Sequence, residues 1–338
     1  MRIVLDAMGS DQYPVPDIAG AVMAARQWPD DEIILVGRED IIRTELQKHD
    51  TQGLQLEIVP ATEVIEMDDP PAWAAKEKRR SSMHVGMGLV HTGDADAYVT
   101  AGNTGGVLAV ATLYTLRRIP GVKRPALVAI LPLPVGRVVA LDIGANADCR
   151  PEYLRQFALM GSVYAQAVLG CDQPRVALLS NGEEPGKGNT LVKEAYSLLS
   201  KASLNFIGNV EPKEVLTGKT DVMVSDGFTG NVLIKTLEAT AKMLTTLIRQ
   251  EITANPITAI GGLLAKPAFN RVAQRINPSE VGGGPLLGVN GIVIVGHGRS
   301  DALAIKSAIG QARKAVQGNV VAAIRDGLAH KGKAKEKS

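Results

Sequence analysis

The residues best suited to chemistry in this 338-residue chain cluster in loops that follow short apolar runs. Six runs lead directly into segments rich in Gly, Asn and Asp: DAMGSD (6–11), AGNTGG (101–106), DIGANADCRPE (142–152), SNGEEPGKGN (180–189), SDGFTGN (225–231) and GHGRSD (296–301). Glycine lets a backbone turn sharply and approach a ligand. A helix that opens after such a loop offers free N–H groups and the positive end of its dipole. Any single loop of this kind is explained by capping and turn formation. Six together predict an anion site, gathered at the carboxyl edge of a parallel sheet where open α/β folds bind ligands.

Two familiar phosphate fingerprints fail. Gly182-Glu183-Glu184-Pro185-Gly186-Lys187-Gly188 is one residue short of a P-loop, and Gly188 stands where a Ser or Thr would hold magnesium. No strand leads into a G-x-G-x-x-G turn, which disfavours a dinucleotide enzyme. The five histidines show no metal-ligand spacing and there is no G-x-S-x-G elbow, so neither a metal nor another cofactor is expected. This pattern suits attack of phosphate on a thioester. Orthophosphate, with a pKa somewhat above the ~6 of a phosphate ester, is largely dianionic at neutral pH. A thiolate leaving group, with a parent pKa of about 8.5, needs no strong acid. Orientation and charge stabilisation are what the protein must supply.

These loops must be positioned by the elements around them. Runs such as RIVLDA (2–7), EIILVG (32–37), LQLEIVP (54–60), DAYVTA (96–101), ALVAIL (126–131), VVALDI (138–143), RVALLS (175–180), DVMVSD (221–226) and GIVIVG (291–296) alternate with helical segments. They are apolar without strict alternation. That predicts a three-layer α/β/α fold whose mostly parallel, Rossmann-like sheet is covered on both faces. No composition break divides the chain, so residues 1–329 are expected to form one catalytic domain, with 250–280 a protruding helical segment and HKGKAKEKS (330–338) a disordered basic tail.

A balance of 37 Lys+Arg against 35 Asp+Glu carries no nucleic-acid footprint. Cys149 and Cys171 are too few for a disulfide framework and read as buried small hydrophobes in a reducing cytoplasm. The start MRIVLDAMG lacks the succession of a signal peptide, and no apolar run reaches the roughly 18–20 residues of a membrane span.

Seven stretches, in order, resemble the bacterial phosphate acyltransferases of phospholipid synthesis, the PlsX family: IVLDAMGSD (3–11), MDDPPAWAAKEKRRSSM (67–83), TAGNTGG (100–106), LDIGANADCRPEYLRQFALMGSVYA (141–165), NGEEPGKGN (181–189), SDGFTGNVLIKT (225–236) and GGGPLLGVNGIVIVGHGRSD (282–301). Ser10 stands where that family usually has a second Gly, and Pro185-Gly186 departs from its more usual acidic or apolar residues. The resemblance implies transfer of a fatty acyl group from acyl-[acyl-carrier-protein] to orthophosphate. It also implies a homodimer, a fold related to phosphotransacetylases and to isocitrate/isopropylmalate dehydrogenases, and a membrane glycerol-3-phosphate acyltransferase that uses the product.

Residue roles follow from both lines. Lys187, between two glycines, can reach phosphate and the developing oxyanion. Asn231 can cap its helix or donate to the thioester oxygen, and His297 can bind phosphate, protonate the thiolate or serve structure. Asn103 and Thr104, with the N–H groups of Gly105 and Gly106, form a candidate phosphate cradle. Asp6 and Asp11 can orient Lys187, bind a cation or simply end strands, and Gly9, Asn146 and Gly230 complete the expected site, with structural roles as the alternative. Lys76, Lys78, Arg79 and Arg80 can steer an acidic carrier protein. In 257–276, Ile257, Ile260, Leu264, Ala268, Val272 and Ile276 form one helical stripe, with Lys266, Arg271 and Arg275 elsewhere. Pro267 should break or kink that segment into two short helices, and the whole reads as a peripheral membrane contact, with packing against the other subunit or the core as the alternative.

Overall fold

Ile3 and Leu5 pack into one apolar cluster with the helices Val15–Gln27 and Ala302–Gln317, whereas Val4 between them packs into another with Met83 and Met87 of the helix Ser82–Thr92. Successive strand residues point to opposite faces. A strand apolar at every position therefore needs helices on both sides, and the computed structural model has that three-layer arrangement. It describes residues 1–133, 136–276 and 278–335.

The strands are β1 (Arg2–Asp6), β2 (Glu32–Gly37), β3 (Leu56–Pro60), β4 (Ala97–Thr100), β5 (Ala126–Leu133), β6 (Gly136–Leu141), β7 (Val176–Leu179), β8 (Phe206–Val210), β9 (Val222–Val224), β10 (Gly284–Leu287) and β11 (Ile292–Val295). They form one sheet in the order β3-β2-β1-β4-β11-β10-β5-β6-β9-β7-β8. The nine expected strands are present. β8 and β10 add to them, each too short or too glycine-rich to stand out.

Pairing is parallel except at β11–β10, β10–β5 and β5–β6. Three reversals leave the half-sheet β3-β2-β1-β4-β11 running opposite to β6-β9-β7-β8. The expectation that all six loops share one carboxyl edge is therefore corrected. Loops after β1, β4 and β11 lie at one edge, and those after β6, β7 and β9 at the other. The cause is local: Ala126–Leu133 and Gly136–Leu141 pair antiparallel and are separated in sequence by two residues, too few for a crossover.

The 27-residue helix Gly227–Thr253 buries only Gly227, Gly230 and Ile234, and its far half projects from the body. It turns at Asn255, whose Oδ1 accepts from the N–H groups of Ile257 and Thr258, into the helix Pro256–Ile276. A methyl group on Gly262 would stand 2.2 Å from Ile252 Cγ2, so the two helices pack closely there. Pro267 lies inside the second helix without dividing it, contrary to expectation. It removes the donor for the Leu263 carbonyl, but Leu263 is 69% exposed and water can serve that oxygen. The side chains of Arg275 and Ile276 lie outside the described residues. The last helix, Val320–Lys335, runs into the tail expected to be disordered, and 336–338 lie outside the described residues.

Candidate active site

Around Asn231, the fold is set by two glycines that press a helix start onto a loop. The Gly227–Thr253 helix begins after β9, capped by Asp226, whose Oδ1 accepts from Thr229 N at 2.8 Å. An added methyl on Gly227 would stand 2.6 Å from the Asn146 carbonyl oxygen, and one on Gly230 would stand 2.0 Å from that of Asp142. Asn231 is half-buried, with its Nδ2 3.2 Å from where a Gly144 methyl would be. Its amide makes no hydrogen bond among the described residues, so its donors are available to a substrate oxygen.

The loop beneath is held by Asp142. Its Oδ1 accepts from Leu127 N at 3.0 Å and Ala145 N at 3.1 Å, and its Oδ2 from Asn146 N at 2.7 Å and Asn146 Nδ2 at 2.8 Å. Burial raises the Asp142 pKa, with the Asn146 amide opposing. Asn146 Nδ2 also donates to the Pro125 carbonyl at 2.7 Å. The Asn146 side chain thus braces the loop and has no donor left for phosphate. Cys149 is half-buried beside these carboxylates, and burial pushes its thiol up to about 12, so it is an inert thiol.

Lys187 stands on the adjacent strand at the same edge, in the loop between β7 and the helix Thr190–Leu199. It is exposed and leans its Cγ over Gly182, 2.8 Å from where a methyl would be. The loop closes on itself through Gly188 N to Asn181 Oδ1 at 2.9 Å.

The other edge holds Asp6, Gly9, Asn103 and His297. Asp6 is buried, accepting from Met8 N, Tyr98 Oη and Thr100 Oγ1 at 2.9–3.1 Å, and burial raises its pKa. Those donors enclose it. Gly9 is required because a methyl there would come 2.9 Å from Ala101 N. Asn103 caps its helix through Gly106 N at 3.0 Å, and its Nδ2 donates to the carbonyls of Glu66, Met67 and Asp69 at 3.1–3.2 Å. Gly105 makes room for Pro71, and Thr104 is exposed. The cradle is thus a capped helix start whose glycines admit the 61–71 loop. Asp11 Oδ1 lies 2.3 Å from where a Gly298 methyl would be, so Gly298 too is needed for a close approach.

The long helix connects the two edges. Glu238 accepts from Arg299 Nη2 at 2.9 Å and lies 3.8 Å from His297 Nε2. Asn231, Lys235 and Glu238 fall at i, i+4 and i+7, on one helical face, and span about 10 Å at 1.5 Å per residue. His297 is 59% exposed. What desolvation it has lowers its pKa, Arg299 and Lys235 push the same way, and Glu238 raises it. Lys235, Glu238 and Arg299 lie outside the set expected from the sequence, although the i, i+4, i+7 spacing of Asn231, Lys235 and Glu238 is legible there. Of the basic run, Lys78 is tied to Asp69, Lys76 pairs with Glu77 at 3.4 Å and Arg79 stacks 3.7 Å above the Tyr114 ring; Lys76, Arg79 and Arg80 are all exposed. Among the described residues no cluster of three His, Cys, Asp or Glu could hold a metal ion.

The family model described as "Fatty acid synthesis protein" matches residues 1–323. Proteins named "Phosphate acyltransferase" from Herpetosiphon aurantiacus and Dictyoglomus turgidum are each 48% identical, covering 97% of this chain and 98% of theirs. One from Halothermothrix orenii is 44% identical, covering 96% and 98%. A phosphotransacetylase from Streptococcus pyogenes shares the fold, with a TM-score of 0.60 at 19% identity over 93% of this chain and 94% of that one. A phosphotransacetylase from Staphylococcus aureus does likewise, with a TM-score of 0.57 at 20% identity and the same coverage. Matched along nearly its whole length by that family model and by these relatives, the chain belongs to the fatty acid synthesis protein family of phosphate acyltransferases.

Proposed function

We propose that this enzyme transfers a fatty acyl group from acyl-[acyl-carrier-protein] to orthophosphate, giving an acyl phosphate and the free carrier thiol. The observation that carries the reaction is the 44–48% identity over nearly the full chain to proteins named phosphate acyltransferase. A phosphate oxygen attacks the thioester carbonyl carbon, the C–S bond breaks, and the thiolate takes a proton. Lys187 and Asn231 lie on neighbouring loops at one edge of the sheet. There an ammonium and an amide can stabilise the charge that develops on phosphate and on the carbonyl oxygen, each worth on the order of 10²–10³ in rate. His297, beside Glu238 and about 10 Å along the same helical face from Asn231, offers a further contact to a substrate long enough to span that face. Phe228 and Val232, 66% and 50% exposed, flank Asn231 and offer apolar surface to an acyl chain.

The test is incubation with palmitoyl-carrier protein and phosphate, with acyl phosphate trapped by hydroxylamine. The phosphotransacetylases share this fold, so palmitoyl-CoA is run in parallel. A preference for CoA would replace the carrier-protein donor with a phosphotransacetylase-like one, and no product from either would leave a non-catalytic acyl-carrier-binding protein.

The same reading places the enzyme in the cytoplasm as a homodimer, attached peripherally to the membrane whose glycerol-3-phosphate acyltransferase consumes the product. Its support is the projecting helical hairpin. Ile257, Ile260, Leu263 and Leu264 are 63–84% exposed, and Met243, Leu244, Leu247 and Ile248 are about half exposed, apolar side chains gathered on one projecting element as at a membrane or protein contact. No helix among the described residues is long and apolar enough to cross a membrane.

A further inference from the structure

Asn209 lies in β8, opposite Leu178 of β7, and is 3% exposed. Its Nδ2 donates to the Glu184 carbonyl at 2.9 Å. The same carbonyl accepts from the backbone N–H of Lys187 at 3.0 Å. One oxygen is thus held from below by a rigid strand and bonded on its other side to the residue whose side chain carries the ammonium. The Asn209 Oδ1 is buried with no hydrogen-bond partner.

A buried, unsatisfied amide oxygen costs about 1–3 kcal/mol, so a side chain chosen for packing alone would be Val or Leu at this strand position. What the amide provides is a donor aimed at the loop. The second tie on this loop differs in kind. Lys219 Nζ meets Glu183 at 2.5 Å, but both side chains are about half exposed, at 45% and 46%. Such surface pairs contribute roughly 0–1 kcal/mol and hold geometry poorly.

We propose that Asn209 is the positioning residue of the Lys187 loop, fixing through the Glu184 carbonyl the place from which the ammonium reaches the reacting groups. This rests on Lys187 acting in the reaction. The glycines on both sides of Lys187 give the loop no stiffness of its own, and Gly188 adopts φ of +95°. The buried donor therefore does what the loop sequence cannot.

The experiment is Asn209→Leu, which keeps the branched shape and heavy-atom count of the side chain, though it is bulkier, and removes both the donor and the orphan acceptor. Turnover with palmitoyl-carrier protein and phosphate should fall at least about tenfold, as expected when a catalytic group is displaced by a fraction of an ångström. Thermal melting should show the variant still folded, and amide exchange at Lys187 and Gly188 should quicken. In a Lys187→Ala background the same substitution should change turnover by less than about twofold, because coupled residues are not additive. Lys219→Ala should leave turnover near wild type. Unchanged turnover or unchanged exchange in Asn209→Leu overturns the proposal, as does an equal loss with and without Lys187. If Lys187→Ala alone keeps more than half the rate, the catalytic reading of Lys187 fails and the functional part of this proposal falls with it. The exchange measurement still decides separately whether Asn209 holds the loop.

Discussion

Gly230 lies so close to Asp142 that a methyl group on it would stand 2.0 Å from the Asp142 carbonyl oxygen and 2.7 Å from Ser225 Oγ. The contact seats the start of the long helix, and with it Asn231, on the loop that Asp142 organises. Gly230→Ala must push that helix outward. Overpacking of this kind costs about 1–3 kcal/mol. We expect such a loss in urea unfolding together with a fall in turnover of at least tenfold; an active, fully stable Gly230→Ala protein would show that Asn231 is not placed by this contact.

Lys187→Ala should lower acyl-phosphate formation by roughly 10²–10³. Because the side chain is exposed, thermal melting should hardly change. Turnover and melting measured on one preparation separate the two effects. A folded variant retaining more than half the wild-type rate removes Lys187 from the mechanism.

Asp17 gives a pH signature. Its side chain is buried, receives Ser10 Oγ at 2.5 Å, and has an Oδ1 without a partner. Burial, with the nearby Asp6 charge adding to it, raises its pKa from 3.8 to about 7. A carboxyl raised on folding contributes stability below its unfolded pKa and loses it as pH climbs through the folded value. At 1.36 kcal/mol per unit, the loss between pH 4 and pH 8 is roughly 4 kcal/mol. Asp17→Asn abolishes this dependence, so its stability relative to wild type should rise by about that amount over the interval. Parallel urea-unfolding curves for the two proteins across these pH values would contradict it.

Activity should survive EDTA treatment. The carboxylates at the strand ends are engaged by protein donors, Asp6 and Asp142 by hydroxyl and backbone N–H groups and Asp226 by the N–H and hydroxyl of Thr229. Loss of turnover restored by magnesium would assign one of them to a cation instead.

The projecting hairpin should bind anionic liposomes, and the Ile260→Glu/Leu264→Glu double substitution should release it while turnover on soluble substrate persists. Both side chains are more than 60% exposed, so the charges should not unfold the protein. Failure of wild type to co-sediment, or unfolding of the double variant, would assign this surface to a second copy of the chain or to the core.

What the sequence determined by itself is local. Apolar runs such as Ile3-Val4-Leu5 fix strands covered on both faces, because every second side chain must be buried on each side. Asp226 and Asn103 announce helix starts, because a side-chain oxygen two or three residues before free N–H groups satisfies them wherever the helix goes. Glycines such as Gly227 and Gly230 mark close approaches without saying to what. Only the tertiary structure decided that the six loops divide between two edges: the stretch from Pro132 to Gly136 is too short for a crossover and turns β6 against β5, but which strands each half of the sheet gathers, and that β10 inserts antiparallel between β11 and β5, depends on strand order. It decided that Asn146 and Asn103 spend their amides on Pro125 and the 66–69 carbonyls, partners 21 and 34 to 37 residues away in sequence. It also decided that Glu238 joins the Asn231 helix to His297, and that Asn209, a lone polar residue in an edge strand, stands beneath Lys187. Such pairings arise from packing between distant segments, and no spacing within either segment encodes them.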